Sequence, residues 1–233
     1  SWQEGRIGYV GRVDYDYAGR YLVEFSFRYD GSSKFAKEKR WGFFPSVSAG
    51  WRISEEAFMK KYSNVLDNLK LRASWGRLGD DEAVEGFQYV EGYTYPYSSY
   101  ILGSEVIRTV VPKGLANRDI TWYTSDIYNL GLDFDLWHGK LSGTVELFYR
   151  HRDGLLATRA ESLPSTFGAK LPQENLNSDS NRGFEVQLSH HNKIGELSYD
   201  VSGNVSYTRA MYNHVERNAS LNDNDNWRNN TNN

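Results

Sequence analysis

Apolar and polar residues alternate along most of the chain, and the pattern recurs in eight segments. In residues 21–30, Tyr21, Val23, Phe25, Phe27 and Tyr29 fall on one face, and Leu22, Glu24, Ser26, Arg28 and Asp30 on the other. Residues 121–136 set Tyr128, Leu130, Leu132, Phe134 and Leu136 against Asn129, Gly131, Asp133 and Asp135. Residues 141–152 set Leu141, Val145, Leu147 and Tyr149 against Ser142, Thr144, Glu146 and Arg150. Residues 197–209 set Leu197, Tyr199, Val201, Val205 and Tyr207 against Ser198, Asp200, Ser202, Asn204, Ser206 and Thr208. Successive side chains of a strand point to opposite faces, so this period of two predicts strands. They are expected near 7–17, 21–30, 45–53, 69–77, 121–136, 141–152, 182–191 and 197–209.

The connections alternate as well. Ala18 to Arg20, Trp137 to Lys140 and Asn192 to Glu196 are expected as short turns, whereas 31–44, 78–120 and 154–181 are long polar stretches. The connection 54–68 predicts a brief helix, with Ser54 as N-cap and Glu55 and Glu56 in its first turn. The chain thus divides into strands with alternating short turns and long loops over 1–209, and a polar, mobile loop over 210–233. Short turns on one rim and long loops on the other suit an all-β, antiparallel transmembrane barrel.

Alternation alone leaves two architectures open. In a soluble β-sandwich, a surface module binding a ligand, the apolar face is the protein core and the charged face meets water. In a membrane barrel the apolar face meets lipid and the charged face lines the lumen. Two details favour the barrel. Tyr21 and Tyr29, like Tyr199 and Tyr207, end their apolar stripes, with Tyr15, Tyr17 and Trp137 beside short turns. Each pair spans about 20 Å along the normal at ~40° tilt, close to the ~25 Å apolar band between aromatic girdles. The opposite face carries both signs of charge: Arg12, Asp14, Asp16, Glu24, Arg28, Arg52, Lys70, Arg72, Asp133, Asp135, Glu146, Arg150, Glu185 and Asp200.

Composition leaves both architectures open and excludes other classes. Aromatics make up 15% of the 233 residues, a bias expected of all-β chains. Mean hydropathy is −0.67, and no apolar run approaches the ~18 residues that a spanning helix needs. A net charge of −3 gives no global field for nucleic acid, and the absence of Cys excludes disulfides and thiol chemistry.

Motifs with possible chemistry are few. Asp30-Gly31-Ser32-Ser33 lacks the second Gly and the strand–turn–helix setting of a nucleophile elbow, and is expected as a turn at a strand end. His190 and His191 are adjacent in a strand and point apart, so they cannot chelate one metal. Asn222-Asp223-Asn224-Asp225-Asn226 lacks the Gly and closing Glu of a calcium loop. No acid/base pair or nucleophile stands out, and neither enzyme activity nor a cofactor is expected.

One resemblance is specific. Arg28-Tyr29-Asp30-Gly31-Ser32-Ser33-Lys34-Phe35 and Arg40-Trp41-Gly42-Phe43-Phe44-Pro45-Ser46-Val47-Ser48-Ala49-Gly50-Trp51-Arg52-Ile53 closely resemble the SusC-like, TonB-linked outer-membrane proteins of Bacteroidetes. Ser54-Glu55-Glu56-Ala57-Phe58 and Leu69-Lys70-Leu71-Arg72-Ala73-Ser74-Trp75-Gly76 follow in order. Then come Ile120-Thr121-Trp122, Asn129-Leu130-Gly131-Leu132-Asp133 and Asn181-Arg182-Gly183-Phe184-Glu185-Val186. Tyr123 stands where the family commonly has an acidic residue. The resemblance implies a barrel of ~22 strands, of which this chain supplies about eight from the later half. It also implies a plug and a TonB-contact segment upstream of Ser1, uptake of oligosaccharides or other bulky nutrients, and a SusD-like surface lipoprotein as partner.

Aromatics on the long-loop side are the candidate substrate contacts: Trp41, Phe43 and Phe44 on one loop, and Tyr93, Tyr95, Tyr97 and Tyr100 on the next. A sugar ring stacks its C–H face on an aromatic plane while polar neighbours bond its hydroxyls. The same residues also suit loop packing. Trp41 to Pro45 belongs to the signature shared with the resembling family, which points to architecture there.

Overall fold

The computed structural model describes residues 4–159 and 171–217. Four long strands come first: β1 (Arg6–Tyr17), β2 (Tyr21–Ser32), β3 (Trp41–Arg52) and β4 (Leu66–Asp80). Four short ones follow: β5 (Tyr93–Thr94), β6 (Ser99–Leu102), β7 (Glu105–Arg108) and β8 (Val111–Pro112). Four long strands complete the chain: β9 (Tyr123–Leu136), β10 (Leu141–Thr158), β11 (Gln173–Ile194) and β12 (Leu197–His214). The long strands form one antiparallel sheet of eight, ordered β1-β2-β3-β4-β9-β10-β11-β12, so each pairs with its neighbour in sequence. Short strands β5 to β8 pair only among themselves.

Register keeps the two faces separate across the whole sheet. Val13 lies opposite Phe25, Phe25 opposite Val47, and Val47 opposite Trp75. Trp75 then faces Tyr128, which faces Tyr149. A slip of one residue at any pairing would turn a charged row into the apolar one. Among the described residues no second sheet covers the apolar face: Val13 is 66% exposed, Phe25 44% and Val205 64%. The sandwich alternative required those side chains in a dry interior.

Aromatic belts border the apolar face. On the long-loop side Trp41 stacks between Tyr29, at 4.9 Å, and Tyr9, at 6.2 Å. Tyr128–Tyr149 and Phe184–Tyr207 continue that belt at 6.1 and 5.9 Å. On the short-turn side Tyr21 lies between Tyr17 and Trp51, at 6.4 and 6.5 Å. The turns there are tight. Ala18 and Gly19 both take positive φ, 54° and 65°, the left-handed pair that matches a two-residue turn to strand twist.

Two expectations fail locally. The 54–68 connection is not an α-helix but two 3₁₀ turns, Ile53–Glu55 and Lys60–Tyr62, and no side chain caps the first. Glu56 is extended instead, at φ −73° and ψ 144°. Its carboxylate accepts from the Tyr21 hydroxyl at 2.6 Å and the Trp51 indole at 3.1 Å, which ties the connection to the lower belt. Those two donors, the Tyr21 hydroxyl foremost, hold Glu56 below the usual carboxylate range. The second failure concerns loop lengths. Residues 173–181 belong to β11, 153–158 to β10, and 210–214 to β12, all in stretches expected as polar loop. In 173–181 nearly every residue on either face is polar, so no alternation marks it. Residues 218–233, including the Asn222 to Asn226 run, lie outside the described residues.

The uncovered apolar face is the one that the resemblance assigns to lipid. Phe25→Arg or Leu132→Arg in the full-length protein should therefore cost about 2–4 kcal/mol at mid-bilayer and block assembly. Loss of the heat-modifiable folded band on a gel would report this. Normal assembly of either variant would mean that these side chains do not face hydrocarbon.

Candidate functional site

Three of the segments that carry the resemblance, those with Phe35, Phe44 and Ile120-Thr121-Trp122, converge at the long-loop rim. Phe44 points to the polar side of β3, where Phe35, Val84, Ile120 and Trp122 join it in a buried apolar cluster, with Leu156 packed against it. Phe35 and Phe44 lie 5.2 and 5.3 Å from the Trp122 ring. Polar contacts lock the edges. The Trp122 indole donates to the Arg40 carbonyl at 3.1 Å, and Lys34 Nζ to the Asp81 carbonyl at 3.0 Å. Asn175 binds both backbone groups of Thr121, at 3.0 and 2.9 Å, and the Gly154 carbonyl at 2.7 Å. Arg6 pairs with the buried Asp81 while its guanidinium lies 5.6 Å from the Trp122 ring centre. Tyr123, the departure from the family pattern, donates its hydroxyl to Asp80. Six loop and strand segments are thus pinned into one cap. Gly79 is required beneath it, because a Cβ there would overlap the Phe44 ring.

From this cap rises a hairpin arm. β5 pairs with β8 and β6 with β7, joined by Tyr97 N to Thr109 O at 3.0 Å and Thr109 N to Ser98 O at 2.8 Å. The arm corrects the expectation of a plain polar loop over 78–120. Its base is held by Asn117, whose side-chain amide donates to the Gln173 carbonyl at 2.7 Å.

The seven candidate aromatics do not meet in one place. Trp41 and Phe43 lie on the apolar face; Phe43 sits 5.9 Å from Phe27, within the upper belt. Phe44 is buried in the cap. Tyr93, Tyr95, Tyr97 and Tyr100 all lie on the arm, exposed, beside exposed Ile101, Leu102 and Val106. A sequence signal separated these groups: the shared signature covers the first three and not the four tyrosines.

The polar face adds a feature that the motif search missed. Asp14, Asp16, Glu24, Lys70, Arg72, Asn129 and Glu146 line a groove of about 460 Å³. Arg72 binds Asp133 through two hydrogen bonds of 2.7 and 3.0 Å, with Glu146 at 3.9 Å and Thr144 donating to Asp133 at 3.2 Å. Arg12 pairs with Asp14 and Glu24, each at 2.9 Å, and Arg152 with Asp179. Alternation placed these charges on one face, apart from Arg152 and Asp179, but did not pair them. His190 and His191 take different partners, the Tyr199 hydroxyl at 3.1 Å and Asp200 at 3.6 Å. Among the described residues no group of three or more His, Asp or Glu is placed to hold a metal.

Residues 3–233 match the family model described as "TonB dependent receptor-like, beta-barrel". The TonB-dependent receptor SusC of Bacteroides thetaiotaomicron is 35% identical over 204 residues, covering 86% of this chain and 20% of that protein. TonB-dependent receptor P39 of Formosa agariphila is 33% identical over 202 residues, covering 84% of this chain and 18% of that protein. The chain therefore spans about a fifth of the length of these relatives. Among solved structures, the RagAB peptide importer in its open-open state superposes with a TM-score of 0.78 at 22% identity. That match covers 94% of this chain and 23% of the importer chain. The FrpB iron transporter of Neisseria meningitidis gives 0.55 at 16% identity, covering 90% and 26%. Both likenesses concern the fold.

Gly79→Ala in the full-length protein should force Phe44 out of the cap at about 1–3 kcal/mol, the usual cost of overpacking. Because the sheet's register does not involve that contact, the barrel should still assemble while the loops become more sensitive to external protease on whole cells. Wild-type protease resistance would show that the cap does not hold the loops.

Proposed function

We propose a function from one premise: the chain belongs to the TonB-dependent receptor-like β-barrel family. Its sheet is accordingly a stretch of outer-membrane barrel wall, apolar face to lipid and charged face to the lumen. The full-length protein imports an oligosaccharide or another bulky nutrient, with TonB supplying the energy through a part of the protein outside this chain. A SusD-like surface lipoprotein covers the long-loop side. Opening and closing perform the work, and no covalent step is involved.

The observation that supports this reading most is the combination of a buried cap and an exposed tyrosine arm at the long-loop rim with a groove lined by charged and polar groups toward the short-turn half of the same sheet. The cap fixes where the arm starts. The arm presents Tyr93, Tyr95, Tyr97 and Tyr100 to a ligand or to the lipoprotein, and the groove offers hydroxyl-binding side chains such as Lys70, Asn129 and Glu146. Stacking surfaces plus hydrogen-bonding groups suit a hydrated polymer better than a compact ion. Trp41 and Phe43 serve the membrane belt in this scheme, and Phe44 serves the cap.

Replacing the four arm tyrosines with Ala in the full-length protein should weaken capture of its nutrient by about tenfold, ~1.4 kcal/mol, at unchanged levels in the membrane. Binding of labelled oligosaccharide and peptide pools to whole cells measures it, and deletion of TonB should abolish uptake without abolishing that binding. Unchanged capture from every pool would remove the arm from substrate recognition. Uptake that persists without TonB would point to a passive pore.

A further inference from the structure

Above the upper aromatic belt, the apolar face turns polar at one level. On β4 and on β9 to β12 the outward-facing residue two positions past the belt is polar: Arg77 beyond Trp75, Asp126 beyond Tyr128, His151 beyond Tyr149, Arg182 beyond Phe184, and Arg209 beyond Tyr207. At ~3.3 Å per residue and ~40° tilt, two positions is about 5 Å along the normal. The belt marks the lipid interface, so this row stands at the depth of the lipid headgroups. It lies on the long-loop side, which is the outer leaflet.

The row is not uniform. Arg77 and Asp126 neutralise each other through two hydrogen bonds of 2.9 Å. Arg182 and Arg209 instead lie directly opposite each other on β11 and β12. Both are exposed, and neither has a carboxylate partner among the described residues. Among the described residues, in which β12 is the edge of the sheet, their outward neighbours are Tyr149 across from Arg182, Ser180 and Phe184 along β11, and Tyr207 and Met211 along β12. None of these is acidic. The acids nearest in sequence point the other way: Asp179 is bound to Arg152, and Glu185 lies on the charged face. Like charges directly opposite across a sheet, with Cβ atoms about 5 Å apart, repel each other. An anion held between them removes that repulsion and accepts from both guanidinium forks.

We propose that Arg182 and Arg209 form a binding site for a phosphate group of an outer-leaflet glycolipid. The stacked Phe184–Tyr207 pair, with ring centres 5.9 Å apart, lies directly below the two arginines, where acyl chains begin. It gives the lipid an apolar contact under its bound phosphate. A free inorganic phosphate has no use for that contact. The proposal rests on the assignment of the apolar face to lipid.

The test uses the full-length protein in detergent micelles, titrated with bis-phosphorylated lipid A, with dephosphorylated lipid A, and with inorganic phosphate. The unfolding midpoint is the readout. Bis-phosphorylated lipid A should raise the wild-type midpoint, and its half-saturation should move up by about tenfold or more in R182Q/R209Q. R182K/R209K, which keeps the charge without the fork, should fall between them. Dephosphorylated lipid A should leave the midpoint unchanged. Should the double Gln variant fail to assemble, single R209Q is read in its place, with an intermediate shift expected. Equal half-saturation in wild type and Gln variant, equal response to dephosphorylated lipid, or no response to any lipid would overturn the site. Stabilisation by inorganic phosphate equal to that by the lipid would overturn the assignment to a lipid. Recovery of wild-type protein in the soluble fraction without detergent would instead sink the membrane reading on which the site rests.

Discussion

The structure depends on one constraint: a strand sends its side chains alternately to two faces, and one of these faces is hydrocarbon. A charge at mid-bilayer costs about 2–4 kcal/mol, and every strand of the sheet would incur that cost if its register slipped by one. Continuous antiparallel pairing also satisfies the backbone groups that lipid cannot solvate. The apolar row from Val13 through Phe25, Val47 and Trp75 to Tyr128 and Tyr149 is the visible result. Its counterpart is the charged face, where Arg72, Asp133 and Glu146 gather on neighbouring strands.

The same constraint decides how much of the fold was legible in the sequence. All eight long strands were, because each must cross the apolar band and so must alternate within it. Where strands leave the band the signal fades. Gln173 to Asn181 is strand although nearly every residue on either face is polar, and pairing with β10, joined by β12 from Ser178 onward, holds it extended. The arm is hidden for a related reason. Its strands are two to four residues long and exposed, too short for a period to show. The expected helix after β3 failed on a tertiary contact: Glu56, a good first-turn residue, is claimed by Tyr21 and Trp51.

The candidate site was legible in its residue types but not in its grouping. Trp41, Phe43 and Phe44 are consecutive aromatics apart from one glycine, yet strand alternation sends Phe44 to the cap and the other two to the belt. Distance in sequence hid the cap itself, since Phe35, Phe44, Val84 and Trp122 come from segments that a single sequence cannot bring together. Once assembled, the cap explains why the segments shared with the family include Ile120-Thr121-Trp122 and the stretch around Phe44. They build one piece of architecture, whereas the tyrosine arm lies outside the shared signature.

The chain contains no cysteine, which makes one measurement unusually direct. A nitroxide placed on Phe25→Cys, and separately on Glu24→Cys, reports which face each side chain meets when the full-length protein, with every cysteine outside this chain replaced by Ser, sits in a bilayer. With the apolar face in lipid, the label at 25 collides freely with oxygen and poorly with a water-soluble nickel chelate, while the label at 24 shows the reverse. The opposite pattern, or a label at 25 shielded from both reagents, would contradict it.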